Sequence, residues 1–129
     1  MTPQASPRVL VVEDNEILLE TLAAVFERQG LSVLTATTGE DALALLREHG
    51  AGIDWLFTDI RLPGLIDGWT VADEYRLSHP LRPVAYASTA ACNDRRTVTN
   101  SIFVEKPVAV AEIARLARMM TDEVAQAAA

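Results

Sequence analysis

The sequence predicts an α/β fold in which a five-stranded parallel sheet is covered by helices on both faces. Five short apolar runs, rich in β-branched residues, have the length and composition of strands that are buried on both sides. Segments with apolar residues at helical spacing alternate with these runs, which indicates right-handed crossovers and therefore parallel strands. The five predicted strands are 9–12, 31–36, 55–58, 84–87 and 102–104.

The segments between the strands carry helix signals. Asp14 or Asn15 can cap the first helix, and Gly30 fits just past its end. Thr38 and Asp41 resemble a capping box at the start of the second helix. The inward stripes of the four stronger helices are Leu18, Leu22, Val25 and Phe26; Ala42, Leu45, Leu46 and His49; Gly68, Val71, Ala72 and Tyr75; and Ile113, Leu116, Ala117, Met120 and Val124.

Helical character weakens in the segment 90–101. Residues 93–100 are polar and include several poor helix formers, so we expect the fourth helix to be short or irregular. The third helix must end before Pro80, and the last begins at about Val108. We expect residues 1–7 to form a flexible N-terminal segment, residues 8–125 one domain, and residues 126–129 a frayed C-terminus.

Composition limits the classes of function. The chain has 129 residues, of which 50% are hydrophobic, so it suits one domain with a core of ordinary size. Its net charge of -7 disfavours direct binding to DNA or to anionic membranes. The single cysteine cannot form an internal disulfide, residues 1–7 lack the features of a secretion signal, and no apolar run approaches the ~20 residues that span a bilayer. We therefore expect a cytoplasmic protein.

Chemistry-bearing residues follow four of the predicted strands. The usual order for such a sheet is 2-1-3-4-5, a flavodoxin-like arrangement with its switch point between strands 1 and 3. That order places Glu13 and Asp14 beside Asp59, at the sheet edge where Ser88 and Lys106 also lie. Three crowded carboxylates repel one another, and a hard cation such as Mg²⁺ would relieve the repulsion. We expect Asp14 and Asp59 to be its direct ligands.

The same edge could accept a phosphoryl group. Lys106 can neutralise phosphoryl oxygens and Ser88 can donate to them, which leaves Asp59 as a nucleophile that forms an acyl phosphate. Each residue alone has a simpler explanation: Asp14 as a helix cap, Asp59 or Ser88 as turn chemistry, and Lys106 as a solvated charge. Their joint placement at strand ends favours a single site.

The sequence resembles the receiver domain of two-component response regulators, from Arg8 to about Met120. Four segments carry the resemblance in order and spacing: Val9-Leu10-Val11-Val12-Glu13-Asp14-Asn15, Thr58-Asp59-Ile60-Arg61-Leu62-Pro63-Gly64, Pro83-Val84-Ala85-Tyr86-Ala87-Ser88 and Phe103-Val104-Glu105-Lys106-Pro107. The resemblance implies that Asp59 accepts a phosphoryl group from a histidine kinase or histidine phosphotransfer protein, and that the protein signals to an unknown output protein. It implies no enzyme beyond Mg²⁺-dependent self-phosphorylation and slow self-dephosphorylation.

The resemblance also implies roles for particular residues. Mg²⁺, or Mn²⁺, would be held by Asp14, Asp59 and the backbone carbonyl of Arg61, with Glu13 acting mainly through water. Ser88 and Lys106 would contact the phosphoryl oxygens. The Lys106–Pro107 peptide bond would be cis.

A switch is implied as well. Phosphorylation would draw Ser88 inward, and the strand-5 aromatic Phe103 would follow it, remodelling the nearby surface.

Three features depart from the usual receiver pattern. The loop at 64–66 has one residue more than is usual, and the stretch from Ser88 to Lys106 is several residues shorter. Arg61 and Ala90 stand where the family modulates loss of phosphate, and they predict slow self-dephosphorylation.

Other functions remain open from the sequence. We expect a single-domain, chemotaxis-regulator-like protein, monomeric or weakly dimeric. The alternatives are a phosphorelay intermediate that passes its phosphate onward and a pseudo-receiver that binds without phosphorylation. A dehalogenase-like phosphatase would want a second aspartate at the position of Arg61.

Overall fold

The structure is a computed structural model that describes residues 6–89 and 98–128, with side chains as far as Val124. Each strand agrees with its predicted run to within one residue at either end. In chain order the elements are β1 Arg8–Val12, α1 Glu16–Arg28, β2 Ser32–Ala36, α2 Gly39–His49, a 3-10 turn Gly50–Gly52, β3 Trp55–Asp59, α3 Gly68–Ser78, β4 Val84–Ser88, β5 Ser101–Glu105 and α4 Val110–Ala128.

The strands form one parallel sheet in the order β2-β1-β3-β4-β5, which confirms the predicted topology. Val12, the last residue of β1, pairs with Ala36 on one side and Thr58 on the other. Asp59 pairs with Ala87, and Ser88 with Glu105. The carboxyl ends of all five strands therefore meet at one edge, and the residues that follow them are brought together there.

Both faces of the sheet are buried. Val9 and Val11 point into a core shared with α1 and α4, whereas Leu10 and Val12 point into the core beneath α2 and α3. All four side chains are fully buried, which stabilises the fold by about 1.5–3 kcal/mol for each large aliphatic group. This burial explains why β1 is an unbroken apolar run, and it fixes the position of the acidic residues that follow.

Helix α1 shows which of two candidate residues acts as its cap. Asn15 is the N-cap, because its Oδ1 accepts a hydrogen bond from the Leu18 amide at 3.1 Å. Asp14 is exposed and precedes the cap, so its carboxylate is free of that structural task.

The side chain of Asn15 should contribute to stability through its bond to the first turn of α1. Asn15→Ala should lower the free energy of unfolding by about 1 kcal/mol, since it removes the cap acceptor. Asp14→Asn should not lower it, because no cap bond is lost. Urea denaturation followed by circular dichroism measures both variants. Equal losses would mean that Asp14 contributes to the cap.

The segment before β5 is held by side chains from several elements. The Tyr86 hydroxyl accepts from the Val98 amide at 3.0 Å, and the guanidinium of Arg76 donates to the carbonyl of Thr99. Asn100, with a φ of 54°, donates to the Leu81 carbonyl at 2.6 Å. The predicted weak helix falls mainly on residues 90–97, which lie outside the described residues.

The last helix starts close to its predicted position. Helix α4 begins at Val110, two residues after the predicted start, and its backbone stays helical to Ala128, within the segment predicted to fray. Residues 1–5 of the predicted flexible segment and Ala129 lie outside the described residues. None of the described helices combines the length and the apolar character that crossing a membrane requires.

Candidate functional site

Three acidic residues converge at the carboxyl edge of the sheet. Glu13, Asp14 and Asp59 each offer a carboxylate oxygen, and these oxygens lie within 4.8 Å of one another. Glu13 and Asp59 are buried, at 1% and 6% exposure, whereas Asp14 faces solvent. Glu13 is positioned by the β1–β2 ladder, which its amide continues by donating to the Ala36 carbonyl at 3.0 Å. The predicted cluster of carboxylates is therefore present.

Lys106 lies between two of these carboxylates. Its Nζ is 2.6 Å from Glu13 Oε1 and 2.9 Å from Asp59 Oδ2. Its backbone amide donates to the Ser88 carbonyl at 2.8 Å, and the Lys106–Pro107 bond is cis, as the resemblance implied. Lys106 is therefore a partly buried cation paired with the site, which excludes the explanation of a solvated charge.

Burial and nearby charged groups shift the pKa values of both Glu13 and Lys106. Burial raises the pKa of Glu13, and the nearby charge of Asp59 raises it further. The hydrogen bonds from Asn15 and Lys106 lower it by less than these effects raise it. Burial alone would lower the pKa of Lys106, but its hydrogen bonds to Glu13 and Asp59 outweigh that effect and raise it. The ammonium group thus stays charged while it compensates two buried carboxylates.

The donor set fits a hard divalent cation. All three groups are carboxylates, the ligands that Mg²⁺ prefers, and the exposed Asp14 leaves one side open for the waters that Mg²⁺ retains. Both oxygens of Glu13 already accept hydrogen bonds, Oε1 from Lys106 and Oε2 from the Asn15 amide at 3.0 Å. Asp14 and Asp59 are therefore better placed than Glu13 to bind a cation directly.

The remaining predicted residues lie around this cluster. Ser88 ends β4 with 8% exposure, and strand pairing places it next to the residue opposite Asp59. Arg61 follows β3 with an exposed side chain. Phe103 on β5 pairs with Tyr86, is half-buried, and lines a groove of about 160 Å³ beside α4. Ala90 lies outside the described residues.

The sequence did not indicate the full structural roles of two residues near the site, Tyr86 and Gly68. Tyr86 is fully buried, packs against Trp69 with ring centroids 4.9 Å apart, and binds the Val98 amide through its hydroxyl. Gly68 was predicted only as part of a helical stripe, but a Cβ there would lie 2.0 Å from the Asp59 carbonyl oxygen. The signal in the sequence was a glycine at the start of a predicted helix, just beyond the candidate site, because glycine allows two backbone segments to approach closely.

Comparison with known protein families decides the class of the protein. Residues 9–118 match the response regulator receiver domain. The chain belongs to that family. Receiver domains are signalling modules that are phosphorylated on an aspartate and act with histidine kinases and output domains.

Solved structures and curated proteins agree with this assignment. The receiver protein of Sinorhizobium medicae shares 30% identity with a TM-score of 0.84, over 92% of this chain and 97% of that one. The transcriptional regulatory protein AfsQ1 of Streptomyces coelicolor is 40% identical over 75 residues, which are 58% of this chain and 32% of AfsQ1. The sensor kinase CckA of Brucella abortus is 26% identical over 122 residues, 92% of this chain and 13% of CckA. The chain thus spans about a third or less of the length of these curated relatives.

Proposed function

We propose that this receiver domain accepts a phosphoryl group on Asp59 from the phosphohistidine of a histidine kinase or histidine phosphotransfer protein. The arrangement around Asp59 is the observation that carries the proposal. Its buried carboxylate lies 2.9 Å from the Lys106 ammonium and within 4.8 Å of the oxygens of Glu13 and Asp14. The site therefore combines a nucleophile, a cation and a place for a metal at the open edge of the sheet.

The transfer step follows from this geometry. A carboxylate oxygen of Asp59 attacks phosphorus as the bond from phosphorus to the histidine nitrogen breaks, and the released imidazole takes a proton from solvent. The product is an acyl phosphate on Asp59. Lys106, already bonded to Asp59 Oδ2, can transfer its hydrogen bond to a phosphoryl oxygen, and the hydroxyl of Ser88 can donate to another.

A divalent cation completes the site. Asp14, Asp59 and the backbone carbonyl of Arg61 would hold Mg²⁺ or Mn²⁺, and Glu13 would act through water because both its oxygens are already bonded. Bound there, the cation supplies positive charge to neutralise the oxygens of the transferring group. The exposed side chain of Arg61 is free to shield the acyl phosphate, in keeping with slow self-dephosphorylation.

Signalling would use Ser88 and Phe103. When Ser88 moves toward the phosphoryl group, Phe103 on the neighbouring strand can move with it, because its half-buried ring borders the groove beside α4. The remodelled surface would bind an output protein. This is a two-state element biased by a new doubly charged group.

We also propose the setting in which the domain acts. We propose a single-domain regulator whose receiver domain covers residues 8–125, and the match of residues 9–118 to the receiver domain supports the domain itself. We propose that it acts in the cytoplasm, and its charge of -7 disfavours direct binding to DNA or to anionic membranes. We propose a monomer or weak dimer that signals by contact with another protein.

Phosphorylation from a small donor tests the proposal. The protein is incubated with acetyl phosphate and Mg²⁺, and its mass is measured intact before and after hydroxylamine, which cleaves acyl phosphates. Wild type should gain one hydroxylamine-labile phosphoryl group, and Asp59→Asn should gain none. Asp73→Asn, which changes an exposed aspartate on α3, is the matched control and should behave as wild type.

A beryllium trifluoride titration with Mg²⁺ tests the switch separately. The NMR signals of Phe103 should shift in wild type and stay unchanged in Asp59→Asn. Labelling of Asp59→Asn to the wild-type level in the first experiment would overturn the phosphoacceptor assignment. Unchanged Phe103 signals in wild type would overturn the switch alone.

A further inference from the structure

The loop between β3 and α3 is fixed at both ends by backbone contacts. It covers residues 60–67 and includes Arg61, whose carbonyl we propose as a metal ligand. At its start, the Ile60 amide donates to the Ala87 carbonyl at 3.0 Å. At its end, the Gly68 amide donates to the Ile60 carbonyl at 2.8 Å. These bonds close the loop, but they leave its middle, which carries the additional residue, to be held by something else.

The middle of the loop rests on the first turn of α2. Glu40 Oε2 accepts a hydrogen bond from the Leu65 amide at 3.2 Å. The same carboxylate covers Gly64, because a Cβ at that position would lie 2.7 and 2.9 Å from its two oxygens. Gly39 lies against the backbone of Ile66, since a Cβ there would be 2.4 Å from the Ile66 carbonyl oxygen. Two consecutive residues of α2 therefore hold three consecutive residues of the loop.

The side chain of Leu65 adds no anchoring of its own. It is 96% exposed, so burial does not hold this part of the chain. Gly64 has a φ of +88°, a conformation that glycine adopts without strain, and this turn directs the Leu65 amide at Glu40. The polar contact with Glu40 is therefore the interaction that fixes the outermost residue of the loop.

We propose that Glu40 is a positioning residue for the phosphorylation site. By accepting the Leu65 amide, its carboxylate fixes the loop that follows Asp59 and thereby places the Arg61 carbonyl for the cation. The inference rests on the proposed function, because the cation site is part of it. Glu40 touches neither the phosphoryl group nor Asp59 in this role.

Glu40 also stabilises its own helix, and an experiment must separate this effect from the positioning of the loop. It lies in the first turn of α2, where a negative charge is favoured by the helix dipole. Glu40→Ala removes both the charge and the acceptor, whereas Glu40→Gln removes only the charge and keeps an acceptor oxygen. Asp41→Asn removes a charge from the same turn and is the matched control, because its exposed side chain lies in that turn without a described bond to the loop.

The experiment uses the whole chain and measures two quantities separately, the protection of the loop from hydrogen exchange and the affinity for Mg²⁺. Amide hydrogen exchange at Leu65, recorded by NMR without metal, reports whether Glu40 protects that amide. Titration with Mg²⁺ followed by the amide signals of residues 60–67 gives the Kd. Glu40→Ala should speed exchange at Leu65 and weaken Mg²⁺ binding about two- to fivefold, the factor that one exposed hydrogen bond contributes. Glu40→Gln should restore both, and Asp41→Asn should change neither.

The other outcomes would contradict either the positioning role of Glu40 or the proposed function. Wild-type Mg²⁺ affinity in Glu40→Ala overturns the positioning role and leaves the proposed function intact. Equal weakening in the alanine and glutamine variants assigns the effect to charge and overturns the role as well. If wild type neither binds Mg²⁺ nor takes a phosphoryl group, the proposed function fails and this inference fails with it.

Discussion

Replacement of Lys106 by methionine should lower the free energy of unfolding at pH 7 by about 3 kcal/mol. The ammonium is the partner of two carboxylates whose side chains are only 1% and 9% exposed, those of Glu13 and Asp59. Methionine fills a similar volume but leaves these charges facing each other in a site that water reaches poorly. Removing one partner of a buried ion pair is costly for this reason, even where the intact pair adds little stability. Urea denaturation in the presence of EDTA measures the loss.

A second substitution separates charge from packing. In Lys106→Met combined with Glu13→Gln, one of the two uncompensated carboxylates is gone, so most of the lost stability should return. The loss in the single variant should also shrink as the pH falls. Burial raises the folded-state pKa of Glu13 above its ordinary value of 4.5, whereas the hydrogen bond from Lys106 lowers it, so loss of Lys106 raises that pKa further. The folded variant then binds the proton more tightly than folded wild type does, and it recovers stability as the pH falls through that pKa. A loss below about 1 kcal/mol that does not change with pH would mean that solvent screens the pair as it screens surface pairs.

The fold was predictable because apolar residues recur at different spacings in strands and in helices, and because the strands are buried on both sides. The runs 9–12 and 55–57 are apolar without interruption, which indicates a parallel sheet. The helices between the strands indicate right-handed crossovers, and the order of the strands is the usual one for such a sheet. The topology then places each strand-end residue at the same edge. Sequence therefore predicted which residues meet, including Asp59 with Asp14 and Lys106.

The bonding within the site was less predictable, because it depends on side-chain direction over a few ångströms. Glu13 was predicted to lie at the site, but the sequence did not indicate that its carboxylate accepts hydrogen bonds from Lys106 and from the Asn15 amide. The choice between Asp14 and Asn15 as cap also depends on a backbone angle that residue type does not specify. The contact between Glu40 and Leu65 joins residues 25 positions apart, for which periodicity gives no signal.

Gly68→Ala should lower the free energy of unfolding by about 2–3 kcal/mol. A Cβ at this position would lie 2.0 Å from the carbonyl oxygen of Asp59 and 2.9 Å from the Cα of Ile60. Both are backbone atoms, so the clash cannot be relieved by rotating a side chain, and either α3 or the end of β3 must move. Alanine is otherwise preferred over glycine in a helix, so a loss of stability here measures the close approach and not helix propensity. Urea denaturation of the variant measures it.

Gly50→Ala is the matched control for this substitution. Gly50 has a helical φ of -53°, and the nearest atom to a Cβ there is His79 Nε2 at 3.9 Å, an ordinary contact. Alanine at this position should leave stability unchanged or raise it by about 0.4–1 kcal/mol, because it restricts the unfolded chain. Since the displaced carbonyl belongs to Asp59 itself, Gly68→Ala should also slow phosphorylation from acetyl phosphate, whereas Gly50→Ala should not. If Gly68→Ala is as stable as wild type and is phosphorylated at the same rate, the contact between α3 and the end of β3 does not position the phosphoacceptor.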